Sequence, residues 1–344
     1  MKNKEFCIVR ANKKEFGGAE IYMERLCQEL GELGVSYEII HSCIPKWLAS
    51  SIRAFLFNLQ MCYTKRNRFY FSLDRISCAD VLRVGDGVHR HYMTIKQSFN
   101  FLPLNLVYCM IEKRGFENAK HLIAISNMVK QNIMEQYQIP SEKISVIYNG
   151  ISPKEFPKKE ELVDFKQEFQ LSDEPILLYV GSGYKRKGVW ELLELFTHIQ
   201  HPSAKLFIVG KEKHLKHYVQ YAKKLNITSR VIFTGARRDI DRFYAYADIF
   251  IFPTHYEPFG NVILEAMNAK CAVITTKQCG GGEILDPTFL MQSPKDYSVV
   301  TKIDDLLLNK EILNKIKENN YQRSLEFSIQ KNALATLEIL KQYL

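Results

Sequence analysis

Two open α/β sheets of parallel strands, each covered by crossover helices, form the fold class this sequence predicts. Three observations carry the expectation. Strand-like and helix-like stretches alternate almost throughout, the pattern of parallel sheets with helices between their strands. The chain has 344 residues, above the size at which one hydrophobic core usually splits in two. The alternation is interrupted by a polar, proline-bearing stretch, Ser152-Pro-Lys-Glu-Phe-Pro-Lys-Lys-Glu-Glu161, which reads as a linker. The expected domains are therefore 1–150 and 151–320, two doubly wound sheets facing a cleft, with ligands at the carboxyl ends of strands.

The elements follow in order. Phe6 to Arg10 reads as the opening strand, then comes a loop with Gly17-Gly18 and an amphipathic helix from Ala19 to Leu33. Tyr37 to Ile40 is the next strand. His121 to Ile125 is another, with Ser126 placed to cap the helix after it. Ile144 to Tyr148 closes the first half at Asn149-Gly150, a turn dipeptide. The second half restarts with strand-like Ile176–Val180, Lys205–Val209, Val231–Thr234, Ile249–Phe252 and Ala272–Thr275, each separated from the next by a helix-like stretch.

Composition narrows the class. With 46% hydrophobic and 25% charged residues the chain reads as an ordinary soluble globular protein. No apolar run approaches the ~20 residues that span a bilayer, and Met1 to Arg10 reads as a strand rather than a signal peptide. Eight cysteines occur without a CxxC pair, so buried free thiols in a reducing cytoplasm are expected rather than a zinc site. The formal charge is +9, and no acidic residue falls between Ile39 and Leu73. There Lys46, Arg53, Lys65, Arg66 and Arg68 alternate with Trp47, Leu48, Phe55, Leu56, Phe57, Met61, Phe69 and Tyr70. Such a segment suits an anionic membrane surface, and equally a core helix with a solvated basic face. No nucleic-acid motif accompanies it, so nucleic acid is not an expected partner.

Chemistry concentrates at strand ends. Glu257-Pro-Phe259-Gly260-Asn261-Val-Ile-Leu-Glu265-Ala266 follows an apolar strand and opens a helix. A strand–loop–helix junction offers backbone N–H groups to an anion. Glu257 would stand at its mouth and Glu265 two turns along, a spacing that suits a sugar nucleotide. A dipole-favoured charge and a solvated helical glutamate are the plainer reading. Gly181-Ser-Gly183-Tyr-Lys-Arg186-Lys187-Gly188 likewise runs from a strand into a helix, with glycines for close phosphate approach and two cations to neutralise it. Thr234-Gly-Ala-Arg237-Arg238 closes another strand. The following Asp239-Ile-Asp241 superficially matches a metal-binding Asp-x-Asp, but acidic residues belong at helix starts. Gly85-Asp86-Gly-Val-His89-Arg-His91 places acid, base and glycines on an expected loop. Asp86 either positions or deprotonates an acceptor hydroxyl or simply ends a strand. His89 is either an acceptor contact or a polar surface residue.

Glu257-Pro-Phe-Gly followed by Leu264-Glu-Ala resembles the signature of the family-4 retaining glycosyltransferases. Gly181 to Val189 with its Arg-Lys-Gly, Ala79-Asp-Val before Asp86, and Phe16-Gly17-Gly18 resemble the lipopolysaccharide core heptose α-1,3-glucosyltransferases within that family. The resemblance covers nearly the whole chain and is strongest from Leu177 to Glu283. It implies the GT-B fold, two Rossmann-like domains with acceptor bound by 1–150 and donor by 151–320, and a C-terminal helix, 321–344, crossing back onto the first. It implies transfer of a hexose, glucose above all, from a UDP-sugar to a lipopolysaccharide core or other membrane-bound glycan, without a metal or other cofactor. It implies donor binding by Gly17, Gly18, Gly181, Arg186, Lys187, Arg238, Glu257, Phe259, Gly260, Asn261 and Glu265. Glu257, Asp86, Arg186 and Lys187 would form the catalytic set, with Asp86 and His89 toward the acceptor. The enzyme would work in the cytoplasm, held at the inner membrane face by the basic aromatic region 46–70. The chain departs from the family where Gly181-Ser-Gly183 replaces the commoner Gly-Arg-Leu, and at His89 and His91. Alternatives are a nucleotide-sugar isomerase of the same fold and a non-catalytic sugar-nucleotide-binding protein.

Overall fold

The structure, a computed structural model, describes residues 5–13, 18–96 and 102–344. Two compact units divide the chain, Met1–Gly150 with Ile329–Leu344, and Ile151–Ser328. In the first, β1 (Glu5–Val9), β2 (Glu38–Ile40), β3 (Arg68–Ser72), β4 (Val81–Val84), β5 (His121–Ala124) and β6 (Ile144–Val146) form a sheet in the order β2-β1-β3-β4-β5-β6. Every pairing is parallel. Helices α1 (Gly18–Glu32), α2 (Ser50–Thr64), α3 (His89–Ile95), α4 (Pro103–Asn118) and α5 (Asn127–Tyr137) connect them. Ser126 caps α5 as its position predicts, its hydroxyl accepting the Val129 N–H at 3.1 Å. Apart from Arg68 and Arg83, β3 and β4 consist of apolar or small residues, because both faces of a parallel strand are covered.

The second unit carries β7 (Ile176–Val180), β8 (Lys205–Val209), β9 (Val231–Gly235), β10 (Ile249–Phe252), β11 (Ala272–Thr276) and β12 (Leu290–Met291) in the order β12-β11-β10-β7-β8-β9, again all parallel. Its helices are α6 (Val163–Glu168), α7 (Val189–Thr197), α8 (Leu215–Lys224), α9 (Ile240–Tyr246), α10 (Asn261–Asn268), α11 (Val299–Leu308) and α12 (Lys310–Ser324). The chain leaves β7 for β8 and β9, then returns to the opposite side at β10. That reversal makes the β7–β10 neighbourhood a topological switch point, where open α/β sheets bind ligands.

The C-terminal stretch corrects the sequence reading. The resemblance implies one helix over 321–344, yet Tyr321 to Ser324 end α12 in the second unit. A new helix, α13 (Ile329–Lys341), starts in the first. The break follows from local bonding. The Ser324 hydroxyl turns back to the Tyr321 carbonyl at 2.7 Å, and Ile151 N–H bonds to the Phe327 carbonyl at 3.0 Å. Beyond it Ile329, Ala333, Leu337 and Leu340 join the core of Ile8, Leu26 and Leu30. Asn332 anchors this return: it accepts from the Tyr22 hydroxyl and donates to the Tyr148 carbonyl.

The cysteines divide more evenly than expected. Cys7, Cys27, Cys271 and Cys279 are buried, whereas Cys43 and Cys62 are exposed. The basic aromatic segment also divides. Phe57, Met61, Phe69 and Tyr70 belong to the core, Lys65 pairs with Asp80, and Arg68 pairs with Glu5 and Glu38.

Candidate active site

At the switch point of the second unit, the loop after β7 and the loop after β10 leave the carboxyl ends of adjacent strands, in register at Leu177 with Ile249. The first loop is held by Gly181 N–H on the Val209 carbonyl and by the buried Tyr184, whose hydroxyl reaches the Gly210 carbonyl at 3.0 Å. At Gly188 the backbone has φ of 72°, and a Cβ there would stand 1.8 Å from the Pro253 carbonyl oxygen. Only glycine lets the two loops approach this closely. Beyond it α7 begins, without a side-chain cap. The second loop enters α10 at Gly260, also without one. Two helix N-termini thus share one end of the sheet, the arrangement that favours an anion.

The charged groups converge there. Arg186 Nη1 donates to Glu257 Oε2 at 3.0 Å and to the Tyr256 carbonyl at 2.6 Å. Lys187 Nζ lies 3.7 Å from the same carboxylate oxygen and 5.2 Å from the centroid of the Phe252 ring. Burial lowers the Lys187 pKa from the ordinary lysine range, Glu257 opposing this and Arg186 reinforcing it. The absence of a side chain at Gly181 completes the space: a Cβ there would lie 3.0 Å from Lys187 Nζ and 3.1 Å from the Tyr179 hydroxyl. That hydroxyl is buried and has no hydrogen-bond partner among the described residues. The arrangement can neutralise a diphosphate: two cations on one carboxylate exchange that partner for phosphate oxygens of the same charge sign.

Glu257 is fixed by its backbone. Its N–H donates to the Gln278 carbonyl at 3.0 Å and its carbonyl accepts from Gly280 at 2.9 Å. Glu265, on α10, accepts the hydroxyl of buried Tyr244 at 3.0 Å, whose pKa burial and this carboxylate raise. Asn261 is the first residue of α10. The Phe259 side chain is in the core, and its carbonyl is taken by Gly281 N–H and the Cys279 thiol, so its ring packs the loop. Burial pushes that thiol up to about 12, so it stays protonated at neutral pH. Arg238 is exposed after β9. Asp239 pairs with Arg237 and Arg242, and Asp241 with Lys154.

In the first unit Gly17 lies outside the described residues, and Gly18 starts α1. Asp86 follows β4 and meets Arg75 Nη1 at 3.4 Å. His89 corrects the expected loop, because it is the first residue of α3. Its N–H bonds to Glu112 Oε1 at 2.8 Å, its Nε2 meets Asn105 at 3.1 Å, and its ring packs edge-on to Tyr108. These contacts give His89 a structural place in the helix start. Burial and Arg75 lower its pKa.

Several contributors were not read from the sequence. Thr254 and His255 hold the Arg186 carbonyl, through Oγ1 at 3.2 Å and N–H at 2.9 Å. The His255 ring also meets Glu191 at 3.0 Å; burial pushes the Glu191 pKa up, and His255, the Glu191 backbone N–H and Lys295 together bring it below the ordinary value. Polar residues just past an apolar strand were the available signal. Glu112 was hidden in an ordinary helical pattern, yet its buried carboxylate accepts from Arg75, Tyr137 and the N–H groups of His89 and Arg90.

Comparison with known proteins agrees with the fold. The family model described as "Glycosyl transferases group 1" matches residues 161–323, and "Glycosyltransferase Family 4" matches residues 66–155. The chain is 28% identical over 232 residues to the uncharacterized glycosyltransferase MJ1607 of Methanocaldococcus jannaschii, covering 63% of this chain and 60% of that protein. It is 30% identical over 184 residues to the lipopolysaccharide glucosyltransferase WaaG of Escherichia coli K12, covering 50% and 48%. It thus spans about half to three-fifths of these relatives' own length. A crystal structure of WaaG, described as a glycosyltransferase involved in lipopolysaccharide biosynthesis, superposes with a TM-score of 0.80 at 19% identity over 97% of this chain and 99% of that one. Anabaena Alr3699/HepE in complex with UDP and glucose gives 0.76 at 18% identity over 99% and 100%. The chain belongs to the family-4 glycosyltransferases and has their GT-B fold.

Proposed function

We propose that this glycosyltransferase moves a hexose, glucose in our reading, from a UDP-sugar to a membrane-bound glycan acceptor of the lipopolysaccharide-core kind. Retention of the anomeric configuration and independence from divalent metal are part of the proposal. The observation that carries it is the convergence of Arg186 and Lys187 on Glu257 at the β7–β10 switch point. Support comes also from HepE, whose crystals hold UDP and glucose, and from the glucosyltransferase name of WaaG. The second unit binds the donor. Arg186 and Lys187 hold its diphosphate and stabilise the charge that grows as the glycosidic bond breaks. Glu257 contacts sugar hydroxyls, Glu265 the ribose, and exposed Arg238 lies toward the base. The acceptor hydroxyl attacks from the face the diphosphate leaves, and its proton passes to that diphosphate. The first unit binds the acceptor, with Asp86 positioning the hydroxyl. A donor panel of UDP-hexoses with truncated lipopolysaccharide cores, read by NMR, tests this. An α-linked product from an α-linked donor is expected, and either an inverted product or no transfer from any donor rejects the mechanism.

The same reading places the enzyme at the inner face of the cytoplasmic membrane. No helix among the described residues is long and apolar enough to cross a membrane. On α2, however, Ile52, Phe55, Leu59 and Tyr63 are exposed at helical spacing. On α4, which packs against α2, Leu106 and Met110 continue the apolar surface. Exposed Trp47, Lys46 and Arg66 flank it, the chemistry of an anionic lipid interface. Ile52→Asp with Leu106→Asp is expected to reduce binding to phosphatidylglycerol vesicles more than 10-fold at an unchanged melting temperature. Equal binding of the wild type to neutral and anionic vesicles rejects this attachment.

A further inference from the structure

A cavity of about 410 Å³ lies wholly within the first unit, at the carboxyl ends of β1, β2, β3 and β4, a volume within the usual ~300–1,000 Å³ of small-molecule sites. Its wall is made by Arg10 after β1, Ser42 after β2, Asp74 after β3 and Asp86 after β4, closed by the first turns of α2 and α4. The charges in this wall are unequally matched. Arg10 is spent on Asp74 at 3.0 Å and Glu20 at 2.8 Å. Arg75 is spent on Glu112 at 3.1 Å and Asp86 at 3.4 Å. Lys13, Lys46 and Arg53 also line the cavity. None of them has a carboxylate partner among the described residues. Among the described residues the buried Arg53 Nε has no hydrogen-bond partner, and its Nη2 makes a long 3.4 Å contact to Ser50. Helix α2 starts at Ser50, on the same wall, without a side-chain cap.

Arg10 and Arg75 between them face four carboxylates, Asp74, Glu20, Glu112 and Asp86. Lys13, Lys46 and Arg53 turn that deficit into one excess positive charge, and with the helix N-terminus the cavity has an unmet demand for negative charge. Arginine supplies a planar fork suited to two oxyanion oxygens, and lysines supply point charges around it. We infer that this cavity holds a phosphate-class oxyanion on the acceptor, so that the enzyme selects a phosphorylated glycan over a neutral one. The inference rests on the reading of the first unit as the acceptor domain and adds the acceptor's charge. Geometry supports the direction of entry. α2 turns Arg53, Ala54 and Phe57 to the cavity and Ile52, Phe55 and Leu59 outward, so the oxyanion site adjoins the apolar surface where a lipid-borne acceptor would lie. Asp86 in the same wall is then within one small molecule's reach of the bound oxyanion, which fixes the register of the hydroxyl to be glycosylated.

The test uses the full-length protein saturated with UDP, so that the phosphate loop of the second unit is already filled. Binding of inorganic phosphate, glucose 6-phosphate and glucose is measured by calorimetry in the wild type and in a protein carrying Arg53→Gln and Lys46→Gln. Glucose 6-phosphate is expected to bind at least ~10-fold more tightly than glucose, with inorganic phosphate competing, and the double variant is expected to erase that preference. If Arg53→Gln compromises folding, Lys13→Gln with Lys46→Gln, both exposed, is expected to reduce the preference in a protein of native melting temperature. Phosphatidylglycerol vesicles that displace glucose 6-phosphate assign the oxyanion to a lipid headgroup; vesicles that do not displace it assign it to the acceptor sugar. Equal affinity for glucose and its phosphate, or a preference untouched in the folded variants, overturns the inference. UDP-hexose hydrolysis measured on the same preparations reads the donor function separately, so either reading can fail while the other stands.

Discussion

Replacing Lys187 with alanine lowers the turnover of sugar transfer by about 10²–10³-fold, with a smaller change in the donor KM. The side chain is only 15% exposed, and burial lowers its pKa, so its charge acts on the diphosphate with little solvent screening. Negative charge on the bridging phosphate oxygen rises as the glycosidic bond breaks, so the interaction strengthens in the transition state and the loss falls on kcat. Glu257 keeps Arg186 at 3.0 Å in the variant, so the loop stays paired. Steady-state kinetics of UDP release check this, and a fall of less than about 3-fold removes Lys187 from the phosphate clamp. Glu257→Gln supplies an independent check through pH. Lys187 is useful when protonated, so activity falls as pH rises through its pKa. Glu257 raises that pKa against the effects of burial and Arg186. Removing the carboxylate lowers the lysine pKa further, and the alkaline limb of the profile moves to lower pH.

The second large effect is on folding. Gly188→Ala is expected to destabilise the protein by about 3–5 kcal/mol, read as a fall in the chemical denaturation midpoint of the second unit. The added Cβ would sit 1.8 Å from the Pro253 carbonyl oxygen and 2.8 Å from its carbon, on a backbone with φ of 72°. Neither neighbour is a flexible side-chain end, so relief requires the β7 and β10 loops to separate. That separation would also break the Arg186 carbonyl's bonds to Thr254 and His255. Gly183→Ala is the control: its Cβ meets nothing within 4 Å, so only the cost of φ at 76° remains, about 1–2 kcal/mol. Equal denaturation midpoints for the two variants would show that the close approach of the loops is not what fixes residue 188.

Much of the second unit was legible because its signals are local. Apolar runs at Ile176, Lys205, Val231, Ile249 and Ala272 became β7 to β11, and the Gly181 and Glu257 segments sit at strand ends where short motifs belong. The first unit was harder. Between Lys46 and His121 the apolar residues serve two different surfaces, the core at Phe57 and Met61 and the solvent at Ile52, Phe55 and Leu59. Composition sums the two and cannot separate them. The glycines before His89 predict a loop, whereas the buried Glu112, 23 residues later, accepts its N–H where a helix starts.

By itself the sequence determined the two-sheet class, the polar break after Gly150, and the presence of both a basic glycine loop and a glutamate-bearing helix start. Hydrophobic period, turn residues and glycine placement are carried by neighbours along the chain, so these features needed no distant contact. Tertiary structure decided what depends on residues far apart in sequence. It brought Arg186 and Lys187 onto Glu257 across about 70 positions, sent Ile329 rather than Tyr321 back to the first unit, and buried Phe259. It also left Lys13, Lys46 and Arg53 around one cavity without carboxylate partners among the described residues. Charge balance and burial are properties of the space around a side chain, and that space is filled by residues the local sequence does not name.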